Sequence, residues 1–196
     1  GWMLDDRENG ALAQKLLRHT FSRQRIAEGT LTVHADRGSP MTSKDLRDLL
    51  DDLGVARSHS RPHVSNDNPF SEAQFKTLKY YPEFPKRFGS IEDARSFCRQ
   101  FFTWYNHEHR HGGIGLMTPA AVHQGRVEAV TQIRQTALTQ AFLRNPERFV
   151  RGMPKPPLVP KEVWINKPTP DTGGSEARVV AGNNPDQEIG RAVQQE

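Results

Sequence analysis

Apolar positions in the first hundred residues fall into blocks with two different periods. Leu12, Ala13, Leu16 and Leu17 recur at helical spacing and predict a helix reaching about His19, with Asp5 or Asp6 as its cap. Over residues 30–35 the period drops to two: Leu31, Val33 and Ala35 alternate with Thr32 and His34, as in a strand with one face inward. Asp36 then stands at the carboxyl end of that strand, where the chain turns at Gly38. Open α/β sheets bind ligands at such ends. Thr42 with Asp45 matches a capping box, Leu46, Leu49, Leu50 and Leu53 form an apolar stripe, and Gly54 suits a stop, which together predict a second helix. Residues 55–59 read as a short strand and the polar residues 60–67 as a mobile loop.

The next helix has Asn68 as N-cap and Pro69 at its first position, and should end before Pro82. Ser90 and Asp93 form another capping box, opening a helix in which Ile91, Ala94, Cys98, Phe101 and Tyr105 share a face and which ends near Gly112 and Gly113. Thr118 and Pro119 cap one more short helix. Beyond Gly125 the character changes: Val130, Ile133, Ala137, Leu138, Ala141 and Phe142 suggest an amphipathic helix broken at Asn145 and Pro146, followed by a proline-rich stretch over 154–160. From about residue 167 the chain is Gly, Pro, Asn, Gln and charge, the composition of a disordered tail. The expected organisation is a core domain over 1–125, a helical and proline-rich extension over 126–166 and a tail over 167–196.

A chain of 196 residues suits one core domain with a remainder. A formal net charge of +4 leans toward a polyanionic partner, although so modest an excess is common on solvated surfaces. The single Cys98 excludes an internal disulfide and a four-thiolate zinc site. No run approaches the roughly 18 apolar residues of a membrane span, and the N-terminus lacks the order of a signal peptide. The expectation is a cytoplasmic protein with no membrane partner. The opening run Gly1-Trp2-Met3-Leu4 looks like the last residues of a strand and has no methionine at position 1, so the front of a domain is expected to be missing.

Asp36 and Glu72, separated by 35 intervening residues, are the candidate metal ligands. Magnesium prefers oxygen ligands and is usually held by one or two carboxylates with water and substrate phosphate, which a strand-end Asp and a helix-borne Glu can supply. A two-metal site for phosphodiester chemistry needs at least three converging carboxylates. On the predicted helix Glu72, Lys76 and Lys79 lie within about 60° of one another, beside an arc of Phe75, Leu78 and Tyr81. The two lysines can serve as DNA phosphate contacts, or the stripe can be a solvated face with a Glu-to-Lys pair; spacing alone favours the second. His107, His109 and His111 carry a workable zinc spacing but equally suit a polar helix end. Trp2, Trp104 and Trp164 read as packing residues. Arg144, Arg148, Arg151, Lys155 and Lys161 fit either a DNA arm or a solvated linker.

Three blocks carry a resemblance: residues 34–39, His-Ala-Asp-Arg-Gly-Ser; residues 68–79, Asn-Pro-Phe-Ser-Glu-Ala-Gln-Phe-Lys-Thr-Leu-Lys; and residues 104–111, Trp-Tyr-Asn-His-Glu-His-Arg-His. In that order and spacing, with Thr118-Pro119-Ala120 as a closing segment, they resemble the integrase catalytic core of insertion-sequence transposases over about residues 1–125. The resemblance implies an α/β, RNase H-like mixed sheet flanked by helices. It implies an Asp, Asp, Glu triad with two divalent ions, Mg²⁺ or Mn²⁺, that cuts donor DNA and joins its 3′ hydroxyl to target DNA. By the same resemblance Asp36 is the second Asp and Glu72 the Glu, while Lys76, Lys79 and Arg110 contact DNA. Transposon ends and target DNA are the implied partners, with a homo-oligomer as the intact form and the nucleoid as its place.

One departure stands out. The family's first Asp should precede residue 1, and Asp5 and Asp6 are poor substitutes. The expectations that follow are a chain inactive by itself, a sheet lacking its first strands, and exposed apolar faces at Leu31 and Val33. A noncatalytic DNA-binding or assembly remnant is the alternative, and an RNase H-like nuclease that does not join strands is a third reading.

Overall fold

The computed structural model describes residues 1–62, 64, 67–165 and 178–179. The tail expected to be disordered lies outside the described residues except for 178–179, as do His63, Ser65 and Asn66 of the expected mobile loop. Two compact units divide the chain, one holding Gly1–Ser96 together with residues 162–165 and 178–179, the other Phe97–Lys161.

In the first unit, helix α1 spans Gly10–Gln24. Its N-cap is Asn9, whose Oδ1 accepts the Leu12 N–H at 3.0 Å, and neither Asp5 nor Asp6 caps it. The helix outruns His19 because Thr20 and Phe21 continue its buried face, and Arg25, left-handed at φ 51°, stops it. Strand β1, Thr32–Ala35, pairs in parallel with β2, Ala56–His59, in the register Thr32 with Ala56 through Ala35 with His59. Parallel strands need a crossover. It is provided by a one-turn helix α2, Ser39–Thr42, and by α3, Lys44–Asp52.

Ser43, not Thr42, caps α3, accepting the Leu46 N–H on its Oγ, because Thr42 is spent as the last residue of α2. The expected stripe is in place: Leu46, Leu49 and Leu50 are buried with Ala13, Leu17, Phe21, Leu31, Val33, Ala35, Met41 and Val55 in one cluster. The expectation that Leu31 and Val33 would stand exposed is thereby overturned, since they are 4 % and 2 % accessible beneath the apolar side chains of α1 and α3. Residues 1–4 form no strand. The Leu4 carbonyl accepts two bonds from the Arg95 guanidinium.

Beyond the sheet, α4 spans Pro69–Lys79, and α5 opens at Ser90, whose Oγ accepts the Asp93 N–H at 3.1 Å, and spans Ile91–His107. A two-residue antiparallel pair joins β3, Val163–Trp164, to β4, Arg178–Val179.

The second unit is organised around Phe101, 1 % accessible, with the rings of Phe97, Phe102, Trp104 and Tyr105 at centroid distances of 6.4, 5.2, 5.8 and 5.8 Å. A 3-10 turn at Gly112–Ile114 leads to α6, Pro119–His123, capped by Thr118, whose Oγ1 accepts the Ala121 N–H. Helix α7 spans Val127–Arg144 and ends before Pro146 as expected, but it buries no residue and Ile133 is 70 % exposed. Val130, Leu138, Ala141 and Phe142 are half-buried and the Phe142 ring meets Phe149 at 5.7 Å, so the expected apolar face is partly covered while Ile133 stands outside it. A polar contact fastens the helix as well: the Arg134 guanidinium donates to the Gly115 and Leu116 carbonyls. No helix among the described residues is long and apolar enough to cross a membrane.

Candidate metal and DNA site

Because β1 and β2 are parallel, their carboxyl ends lie at one edge, and the residues just past them, Asp36 and Ser60, come off the sheet together. Asp36 is half-buried; its Oδ1 accepts the Gly38 N–H at 2.8 Å, which closes a tight polar turn and leaves Oδ2 without a protein donor among the described residues. Its carbonyl accepts from Nδ1 of His59 at 3.0 Å. A carbonyl can only accept, so this bond assigns the proton to Nδ1 of His59 and the lone pair to Nε2. Arg37 reaches across to the Ser60 carbonyl at 3.0 Å.

The neighbour of these contacts is His34, 4 % accessible, which spans three segments with one ring. Its Nε2 lies 2.8 Å from the Asp67 carbonyl and its Nδ1 3.0 Å from the Ser58 hydroxyl. By the same donor logic Nε2 carries the proton and Nδ1 accepts from Ser58 in the neutral ring. Asp67 is fixed from its other side as well: its carboxylate receives the Arg61 backbone N–H at 2.8 Å and the guanidinium at 2.9 Å on each oxygen. The Arg61 guanidinium, the largest influence, holds the Asp67 carboxyl down at about 2. Within the segment read from sequence as a mobile loop, Asp67 is thus bonded to His34 of β1, and Arg61 is bonded to Asp67. Asp67 immediately precedes Asn68, the cap residue of α4, so the tie sets where that helix starts.

Glu72 sits in the first turn of α4, exposed, and Lys76 and Lys79 follow on the same exposed stripe. Among the described residues no ion pair joins Glu72 to either lysine, so the Glu-to-Lys pairing of a self-satisfied solvated face is not made. Phe75, Leu78 and Tyr81 are half-buried on the neighbouring arc. The start of α4 is unusual in another respect. Asn68 makes no side-chain capping bond, and the Asn68 Oδ1, Ser71 Oγ, Gln74 Nε2 and Ser60 Oγ are all buried without a partner. Buried polar atoms are ordinarily satisfied, and three of these belong to the first turns of α4, the helix that carries Glu72.

Oxygen donors at Asp36 and Glu72 suit a hard divalent cation. No group of three or more His, Cys, Asp or Glu able to hold a metal occurs among the described residues. Arg110 belongs to the other unit and is exposed in the turn after α5. The nearby histidines are engaged with their surroundings: His109 stacks on Tyr105 at 5.0 Å, where burial lowers its pKa, and His111 Nδ1 accepts the Gly113 N–H. Sequence reasoning named Asp36, Glu72, Lys76, Lys79 and Arg110 but missed His34, His59 and the pair Arg61 and Asp67. The available signal was weak: a histidine at an outward-alternating strand position, and an Arg six residues before an Asp.

Two family models, both described as an integrase core domain, match the chain, one over residues 1–65 and the other over 53–119. The chain belongs to the integrase core family. It is 31 % identical over 124 residues to the insertion element IS600 uncharacterized 31 kDa protein of Shigella sonnei, which covers 63 % of this chain and 45 % of that protein. It is 29 % identical over 110 residues to a Lactococcus lactis subsp. lactis protein named ATP-dependent protease, covering 55 % of this chain and 36 % of that protein. The chain thus spans less than half the length of either relative. A chain in the structure of the simian T-cell lymphotropic virus intasome with PP2A regulatory subunit B56 gamma is similar over 53 % of this chain and 36 % of its own, at 15 % identity and a TM-score of 0.38. A likeness that slight bears on neither the fold nor the site.

Proposed function

We propose that this chain is part of a DNA transposase or integrase in which Asp36 and Glu72 hold Mg²⁺ or Mn²⁺ for cleavage and joining of DNA strands. The observation that carries the reading is the polar tie between β1 and the start of α4: His34 bonded to the Asp67 carbonyl brings the element bearing Glu72 to the strand that ends at Asp36. When bound, the cation would stabilise charge on the attacking and leaving oxygens of a phosphodiester. The chain's own part is to hold two carboxylates on different rigid elements, with Gly38 orienting one oxygen of Asp36. Lys76 and Lys79, and Arg110 in the other unit, neutralise DNA phosphates. The core domain extends over 1–125 with an RNase H-like mixed sheet, to which β1 and β2 belong, and the extension and tail follow.

A two-metal centre requires a third carboxylate, and the described residues offer no third acid or histidine grouped with Asp36 and Glu72. The chain by itself is therefore inactive in strand transfer, and the complete enzyme acts as a homo-oligomer on transposon ends and target DNA in the cytoplasm. The noncatalytic remnant is the second reading, favoured by that same two-carboxylate set.

Duplex and nicked transposon-end DNA, assayed with Mg²⁺ for both binding and cleavage, separates the readings. The chain alone is expected to bind DNA with a steep salt dependence and leave strands intact. A form of the protein that brings a third carboxylate to the site is expected to show cleavage that Asp36→Ala and Glu72→Ala each abolish. Cleavage by the isolated chain would overturn the claim of inactivity, and failure of any completed form to cleave would select the remnant.

A further inference from the structure

The hydrogen-bond ladder between β1 and β2 stops one residue short of Asp36. Its last bond runs from the Ser60 N–H to the Ala35 carbonyl at 3.0 Å, and the Asp36 carbonyl has no backbone donor among the described residues. A side chain supplies the donor instead. Nδ1 of half-buried His59, the residue paired with Ala35 across the sheet, donates to the Asp36 carbonyl at 3.0 Å.

That bond falls on the turn that orients the carboxylate. Oδ1 of Asp36 accepts the Gly38 N–H at 2.8 Å, and the ring so closed passes through the Asp36 carbonyl carbon and the peptide to Arg37. Rotation of that peptide would carry the Gly38 N–H away from Oδ1. The turn is tight, since a Cβ at Gly38 would stand 3.0 Å from Oδ1. A donor held on the peptide oxygen therefore fixes the peptide plane, and with it the direction of Oδ2, the oxygen without a protein donor among the described residues. The Arg37 side chain also crosses to β2, but it ends on the Ser60 carbonyl and leaves the Asp36 carbonyl to His59.

We infer that His59 is a positioning residue, which by holding the Asp36 carbonyl sets the direction in which the Asp36 carboxylate meets a divalent cation. This rests on the metal-binding reading proposed above and deepens it by a residue that acts through Asp36. Partners that orient a metal ligand from behind contribute about 10- to 100-fold in metal affinity. Two other roles compete for the ring. A mere cap on a stranded carbonyl would register in stability alone. Direct ligation would use Nε2, whose lone pair has no partner among the described residues.

Mn²⁺ titration of the full chain at one fixed pH, followed by electron paramagnetic resonance with urea midpoints alongside, separates the three. His59→Asn places an amide N–H close to the position of Nδ1, His59→Gln carries the amide one bond further out, and His59→Leu has no donor. The Leu and Gln variants should each weaken Mn²⁺ binding about tenfold or more, and the Asn variant should recover most of that loss. In an Asp36→Asn background His59→Leu should have no further effect, because the carboxylate it acts through is gone. If His59→Leu does not fold, the contrast between the Asn and Gln variants carries the same test. Mn²⁺ affinity unchanged in the Leu and Gln variants, while Asp36→Asn still weakens it, overturns the inference and leaves the metal-binding reading intact. Equal losses in the Asn and Gln variants make the ring a ligand and overturn it too, as does a loss that persists in the Asp36→Asn background. Binding that Asp36→Asn does not weaken removes both the inference and the reading beneath it.

Discussion

His34 and Asp67 put a polar joint where the hydrophobic pattern of the chain anticipates only a strand and a loose loop. Replacing His34 by Phe would leave the Asp67 carbonyl and the Ser58 hydroxyl without their partner, at about 1 to 3 kcal/mol for each group that stays dry. Urea unfolding of His34→Phe should show that loss, and an unchanged midpoint would mean that water replaces the ring at no cost. Asp67 supplies a pH signature. Its carboxyl is held below its ordinary value of 3.8, at about 2, chiefly by Arg61, so its contribution is complete above about pH 4 and disappears as pH falls toward 2. The stability difference between the parent and Asp67→Asn should accordingly be constant from pH 7 to about 4 and shrink below it. A difference that grows on acidification would refute the pairing. Neither residue was legible from local sequence, because His34 and Asp67 are 33 positions apart and a hydrogen bond at that separation leaves no period to read. Asp36 and Glu72 were nameable only because they sit in blocks that resemble a family.

At the scale of elements, periodicity located most helices and strands and misjudged what lies at their ends. The α3 stripe of Leu46, Leu49 and Leu50 is buried as its spacing demands, yet Thr42 and Ser43 are both plausible caps, and only the presence of the short α2 decides for Ser43. Helix α7 shows the opposite failure. Its apolar residues recur at helical spacing and are at most half-buried among the described residues, since spacing specifies a face but not how deeply a partner covers it. The two helices should therefore respond differently to the same substitution. Leu46→Ala, at a fully buried position, should cost about 2 to 5 kcal/mol, while Ile133→Ala should stay within about 0.5 kcal/mol. Comparable thermal shifts for both would show that α7 is packed against something in solution. Thr118→Ala should cost about 1 kcal/mol through the lost cap of α6, measurable in the same melts.

For the whole molecule, the proposed reading makes the polar joint the means by which the two carboxylates serve one site. Asp36 is fixed by the sheet, Glu72 by a helix whose start is tied to that sheet, and the charged stripe of α4 faces outward where a polyanion can reach it. Lys76 and Lys79 share the first unit with both carboxylates, and Arg110 belongs to the second. The most direct test is Mn²⁺ binding followed by electron paramagnetic resonance in the parent, Asp36→Asn, Glu72→Gln and the double variant. If both carboxylates hold one ion, each single change weakens binding about tenfold or more, and the double variant loses far less than the two effects added. Binding that is unchanged in both single variants, or losses that simply add, would contradict a shared site.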